Sequence, residues 1–79
     1  MKIYEYNGKK NLCGPKIRQL RREKKLTQTD FAAQVQIKGV TLERDSISRI
    51  ENGSRFVADY ELKIFSEVLG KDVSFLLET

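Results

Sequence analysis

The chain has 79 residues, 39% of them hydrophobic, with one proline, which fits a single domain burying only ~60–65% of its unfolded surface. It has no stretch near the ~20 apolar residues of a membrane span, a polar start that predicts no signal peptide, and one cysteine that cannot close an internal disulfide, so a cytoplasmic setting is expected. The absence of histidine excludes imidazole catalysis, Ser-His and Cys-His nucleophiles and most zinc sites, while charge divides into +7 over residues 1–40 and −3 over residues 41–79.

The expected architecture is all-α, five short helices with a short extended N-terminal segment, residues 1–11, ahead of a domain over residues 12–79. Ile3 and Glu5 alternate with Tyr4 and Tyr6 and run into Asn7-Gly8, a turn dipeptide, so the start is either a short strand or an extended arm. Gly14-Pro15 announces a first helix ending near Lys25, with Ile17, Leu20 and Leu26 inward. Thr27-Gln28-Thr29-Asp30 is a capping box that opens a second helix, with Phe31, Ala32 and Val35 as its apolar stripe; Ala32-Ala33 allows a close crossing. After a break at Gly39-Val40-Thr41, a third helix is expected over residues 43–52, stopped by Asn52-Gly53. Asp59 is the expected cap of a fourth helix over residues 60–69, with Leu62, Phe65, Val68 and Leu69 inward and Gly70 as its stop. Ser74 is the expected cap of a last turn carrying Phe75, Leu76 and Leu77.

The third helix has only Ile47 and Ile50 as apolar anchors, leaving Arg44, Asp45, Ser46, Ser48 and Arg49 to project. A face of hydrogen-bonding side chains on so narrow an apolar edge makes sense when it is presented to something polar. A short capped helix followed by a turn and such a helix is the layout of the helix-turn-helix, whose second helix enters the DNA major groove.

Three segments carry a family resemblance: Gly14-Pro15-Lys16-Ile17-Arg18-Gln19-Leu20-Arg21, Leu26-Thr27-Gln28-Thr29-Asp30-Phe31-Ala32, and Ser46-Ile47-Ser48-Arg49-Ile50-Glu51-Asn52-Gly53. Together they resemble the Cro/repressor (Xre-type, lambda-repressor-like) helix-turn-helix family, and Leu69-Gly70-Lys71-Asp72-Val73-Ser74-Phe75-Leu76-Leu77 is similar to its closing segment. The resemblance covers about residues 12–78 and departs in the turn. Eleven residues, 36–46, separate Val35 from Ile47, Gln36 stands where a turn glycine is usual, and Glu43 stands where a serine cap is usual, leaving Thr41 as the alternative cap.

The resemblance implies that Gln28 donates to a DNA phosphate with help from its helix N-terminus. It places Arg44, Asp45 and Ser46 nearest the base edges, with Arg49 one turn on, and sets Asn52, Ser54 and Arg55 against the sugar-phosphate backbone. Lys16 and Arg18 are lesser contributors. Arginine pairs bidentately with guanine O6 and N7, a contact worth ~1–3 kcal/mol of discrimination. Asp45 either accepts from a cytosine N4 or holds Arg44 or Arg49 in position, and as a first-turn acid it also suits the helix dipole. The plainer alternatives are that Gln28 is a solvated helix-start residue and that Arg49 and Arg55 are ordinary exposed charges. Ile47, Ile50, Phe65 and Leu69 read as core, and Cys13 as a small packing residue. Glu51 reads as the partner of Arg21 or Arg22, and the run from Arg21 to Lys25 as a solvated face.

The implied function is sequence-specific binding of double-stranded DNA by a small phage-type or bacterial repressor that acts by occupying an operator. A homodimer on a two-fold site is expected, with contacts from Phe75, Leu76 and Leu77 or from Ile3, Tyr4 and Tyr6, unless these finish the monomer's own core. The alternative is a protein-binding module such as an antitoxin-like subunit. No cofactor or metal is expected. An enzyme is disfavoured by the lack of histidine, of a Gly-x-x-x-x-Gly-Lys loop and of a paired-carboxylate signature. RNA binding lacks an aromatic stacking motif.

Overall fold

The computed structural model describes residues 5–78, in which five helices follow in chain order: α1 (Gly14–Glu23), α2 (Gln28–Ile37), α3 (Arg44–Glu51), α4 (Asp59–Leu69) and α5 (Val73–Leu76). Among the described residues there is no strand, in line with the all-α expectation. Ile3 and Tyr4, half of the alternation read as a strand or arm, lie outside them. The Asn7-Gly8 turn forms as expected, with Tyr6 N–H donating to the Lys9 carbonyl at 2.7 Å and the reverse bond at 3.0 Å. Both central residues have positive φ, +53° and +79°, as a type I′ turn requires.

α1 starts at Gly14, one residue before the proline, because the Asn11 carboxamide oxygen accepts from the Gly14 N–H at 2.8 Å and anchors the first turn. It stops at Glu23, short of the expected Lys25, in a Schellman closure: Leu26 N–H donates to the Arg21 carbonyl and Lys25 N–H to that of Arg22. Lys25 occupies the left-handed position, φ +59°, at a cost of roughly 1 kcal/mol for a residue bearing a Cβ.

The capping box of α2 is complete. Thr27 Oγ1 accepts from Asp30 N–H and Asp30 Oδ2 from Thr27 N–H, each at 3.0 Å. The Thr27 backbone bond, then its side chain, holds the Asp30 carboxyl below its usual pKa. α2 continues through Gln36 to Ile37, and the chain reverses at Gly39, φ +104°, where an added Cβ would strain the backbone although it meets nothing within 4 Å. Gly39 therefore takes the turn-glycine role missing at Gln36, three residues late.

Three cap expectations are corrected. Glu43, not Thr41, is the residue at the N-cap of α3, and no side-chain cap bond forms there. The N-cap of α4 is Ala58, so Asp59 lies already inside the helix, and Glu61, at its third position, accepts from Ala58 N–H at 3.0 Å. Likewise Asp72 precedes α5, leaving Ser74 within it rather than capping it.

The core forms where α1, α2, α3 and α4 converge, with Phe31 and Phe65 at its centre, rings 5.5 Å apart and tilted by 47°. Ile17, Val35, Ile47, Ile50 and Leu76 are fully buried around them, and Ala32 is buried while Ala33 faces solvent. Leu42 is also buried, pinning the lengthened turn ahead of α3. Cys13 is buried too, and desolvation pushes its thiol up to about 11, which suits an inert packing residue.

A second buried acid organises the start of α4. Arg55 grips both carboxylate oxygens of Glu61, at 3.0 and 3.2 Å, and also donates to the Phe56 carbonyl. Burial alone would raise the Glu61 pKa, but the bonds from Arg55 and Ala58 outweigh it, so the carboxyl sits below its usual value of 4.5. A lowered folded-state pKa contributes stability that is present above the ordinary carboxylate range and is lost as pH falls through the folded value. Glu61→Gln is expected to cost roughly 1–3 kcal/mol at neutral pH and to show a shallower loss of stability on acidification, measured by urea unfolding at neutral and acid pH.

α1 meets α3 end on. A Cβ at Gly14 would collide with the Ile50 carbonyl and lie 3.0 Å from that of Glu51. Gly14→Ala is expected to destabilise the fold by about 1–3 kcal/mol in the same unfolding measurement.

Candidate nucleic-acid interface

α3 turns Ile47 and Ile50 fully into the core and sets Arg44, Asp45 and Arg49 on the opposite, solvent-facing side, with Ser46 and Ser48 half-buried at its edges. Arg44 is the first helical residue. Asp45 Oδ2 lies 3.2 Å from Arg49 Nε, an i,i+4 pair with both side chains more than half exposed. Such a pair adds little stability, but it orients the guanidinium along the helix surface. Of the two roles open to Asp45, holding Arg49 is the one with a contact in the free protein.

The opposite end of α3 is fixed by a buried ion pair. Arg21 Nε donates to Glu51 Oε2 at 2.6 Å and Nη2 to Oε1 at 2.9 Å, while Nη1 reaches the Leu26 carbonyl at 2.8 Å. The Glu51 hydrogen bonds raise the Arg21 pKa against the opposing effect of burial, so the guanidinium stays charged. Arg22, the other partner considered for Glu51, is exposed.

Gln28, the first residue of α2, joins this group. Its Nε2 donates to Glu51 Oε1 at 3.2 Å, and it is half-buried rather than freely solvated. A carboxamide nitrogen carries two hydrogens, so one donor remains after the Glu51 bond. Asn52 and Ser54 are exposed beyond α3, and Asn52 Oδ1 accepts from the Ser54 N–H and hydroxyl at 3.0 and 2.6 Å. This locks the carboxamide and leaves its nitrogen as the group able to donate outward.

Arg55 does not join them. Its guanidinium is half-buried and held by Glu61, so the exposed cation read from the sequence is an internal strut. Lys16 is similarly engaged, its ammonium 4.6 Å from the centre of the Phe75 ring, whereas Arg18 is exposed.

The sequence offers residues 1–11 as an arm or strand with Tyr6 as a dimer contact, whereas residues 9–11 dock on the end of α3. Asn11 Nδ2 donates to the carbonyls of Ile50 and Arg55 at 3.0 and 2.8 Å, and Lys10 N–H to that of Gly53 at 2.8 Å. One signal was available: an asparagine three residues ahead of Gly14-Pro15 is a helix-start residue.

No curated protein matches the chain. A family model described as a helix-turn-helix domain matches residues 14–69, the span from the start of α1 to the end of α4 with α2 and α3 at its centre. No described helix is long and apolar enough to cross a membrane. Matched over most of its length and built around an outward polar third helix, the chain belongs to the helix-turn-helix domain family, a DNA-binding fold.

Proposed function

We propose that the protein is a sequence-specific, double-stranded DNA-binding regulator of the Cro/repressor type, acting as a repressor that occupies an operator. The observation that carries this reading is the outward face of α3, where Arg44 opens the helix and Asp45 steadies Arg49 one turn on. In this reading Arg44, Asp45, Ser46 and Arg49 address base edges in the major groove, while Gln28, Asn52 and Ser54 hold the sugar-phosphate backbone. The basic half of the chain supplies long-range attraction to a polyanion.

A single helix reads few base pairs, so a homodimer on a two-fold site with half-sites ~34 Å apart supplies the needed length. Tyr6, Phe56 and Leu77 support this reading. All three are exposed and line one cleft of about 260 Å³ together with Val57 and Leu62 and, at the docked N-terminal segment, Lys9 and Lys10. Leu76, by contrast, belongs to the core, and Phe75 is half-buried. The same cleft is the feature that favours a second reading, an antitoxin-like subunit holding a protein partner. Mass measurement in solution separates them, since self-association at the cleft doubles the mass and Leu77→Glu abolishes that.

Titration of duplexes selected from a random pool is expected to give a log-log salt slope near −0.9 per neutralised phosphate. Arg44→Ala is expected to relax preference at one base pair by about 1–3 kcal/mol and leave the others intact. Absence of binding to every duplex at low salt overturns the DNA reading, and uniform loss across all positions misplaces the reading helix.

A further inference from the structure

Residues 5–11 precede the family match, yet they are fastened to the helix that faces outward. Besides the Lys10 and Asn11 bonds, Lys9 Nζ donates to the Asn52 carbonyl at 3.2 Å. A Cβ at Gly53 would come within 2.5 Å of the Lys9 side chain, so the lysine stem lies directly over the chain at that point. The type I′ turn at Asn7-Gly8 fixes the approach, and the position of Lys9 and Lys10 is thus set relative to α3 rather than left to a free arm.

Between this turn and the end of α3 runs an open groove of about 270 Å³ lined by Glu5, Lys9, Lys10, Asn52 and Ser54. Arg55 takes no part in it, its charge being matched internally by Glu61. Lys9 already donates within the fold, whereas Lys10 uses its backbone N–H to dock and keeps an exposed side chain. The groove is lined by two lysines, one carboxylate (Glu5) and two neutral polar side chains, a net positive strip at the end of α3.

We propose that the turn of residues 6–9 with Lys10 is a second backbone-gripping element, in which Lys10, assisted by Lys9, neutralises a phosphate of the duplex next to those held by Asn52 and Ser54. The inference rests on the DNA-binding reading. It adds a cation from outside the helix-turn-helix. A phosphate contact of this kind raises affinity for every sequence alike and carries no base preference.

The test uses the full chain with Lys10→Gln, Glu5→Gln and, as a control on α4, the exposed Lys63→Gln. Each is titrated at several salt concentrations with one duplex recovered by selection and one of scrambled sequence. Lys10→Gln is expected to flatten the log-log salt slope by about 0.9, so that the affinity drop between 50 and 200 mM salt shrinks about 3.5-fold on both duplexes. Glu5→Gln is expected to tighten both, and Lys63→Gln to match the unaltered protein. Unfolding curves accompany each variant, because a loosened fold lowers affinity without removing one unit of slope. If the unaltered protein binds with a steep slope while Lys10→Gln and Lys63→Gln coincide, the groove is overturned and the DNA reading stands. If the unaltered protein binds no duplex, both fall.

Discussion

The Arg21–Glu51 pair is the constraint on which the orientation of α3 depends. It takes two charges out of water, which is favourable only because the guanidinium fork meets both carboxylate oxygens and its third nitrogen finds the Leu26 carbonyl. Removing either partner of such a pair strands a buried charge, a loss on the order of 3–5 kcal/mol. The geometry also spans three elements. Arg21 stands on α1, Leu26 in the turn before α2, Gln28 at the start of α2 and Glu51 at the end of α3. One side-chain cluster therefore ties together the two helices of the motif and fixes the position of the Gln28 carboxamide.

An eight-residue helix is too short to be stable alone, so α3 is held from outside. Ile47 and Ile50 anchor one edge, Leu42 fixes the approach, and Gly14 allows the start of α1 to abut the far end. These supports all lie on the core side or at the ends. The face bearing Arg44, Asp45 and Arg49 is left clear, as recognition of a groove requires. The Arg55–Glu61 pair repeats the buried-fork device at α4 and steadies the chain that leaves α3.

Much of this was legible because the signals are local. The Thr27 and Asp30 capping box, the Asn7-Gly8 turn and the stop at Gly70 each depend on a few neighbouring residues. Ile47 and Ile50 stand out because nothing else on that helix is apolar. Glu51 was narrowed to two arginines, and the helical period decides between them, since Arg21 follows Ile17 by four residues on the buried side of α1 whereas Arg22 is rotated off it. What failed depends on contacts the sequence does not encode nearby. Asp59 is a better cap by type than Ala58, but Glu61 at the third position claims the Ala58 N–H and shifts the start of α4 by one residue. Arg55 reads as an exposed cation until the turn folds it onto Glu61. Nothing in the Lys25 side chain announces a left-handed backbone. The docking of residues 9–11 depends on carbonyls about forty positions away, at and beyond the end of α3.

That docking bears on the electrostatics of α3 itself. The carboxyl end of a helix carries about half a negative charge on its unpaired carbonyls, which would repel a nucleic acid approaching alongside. Here the Ser54 N–H covers the Arg49 carbonyl, Asn11 and the Gly53 N–H cover that of Ile50, and an ammonium group caps that of Asn52. The carbonyls of Arg49, Ile50 and Asn52 at this pole are covered by donors, which eases the approach of the outward rod along an anionic surface.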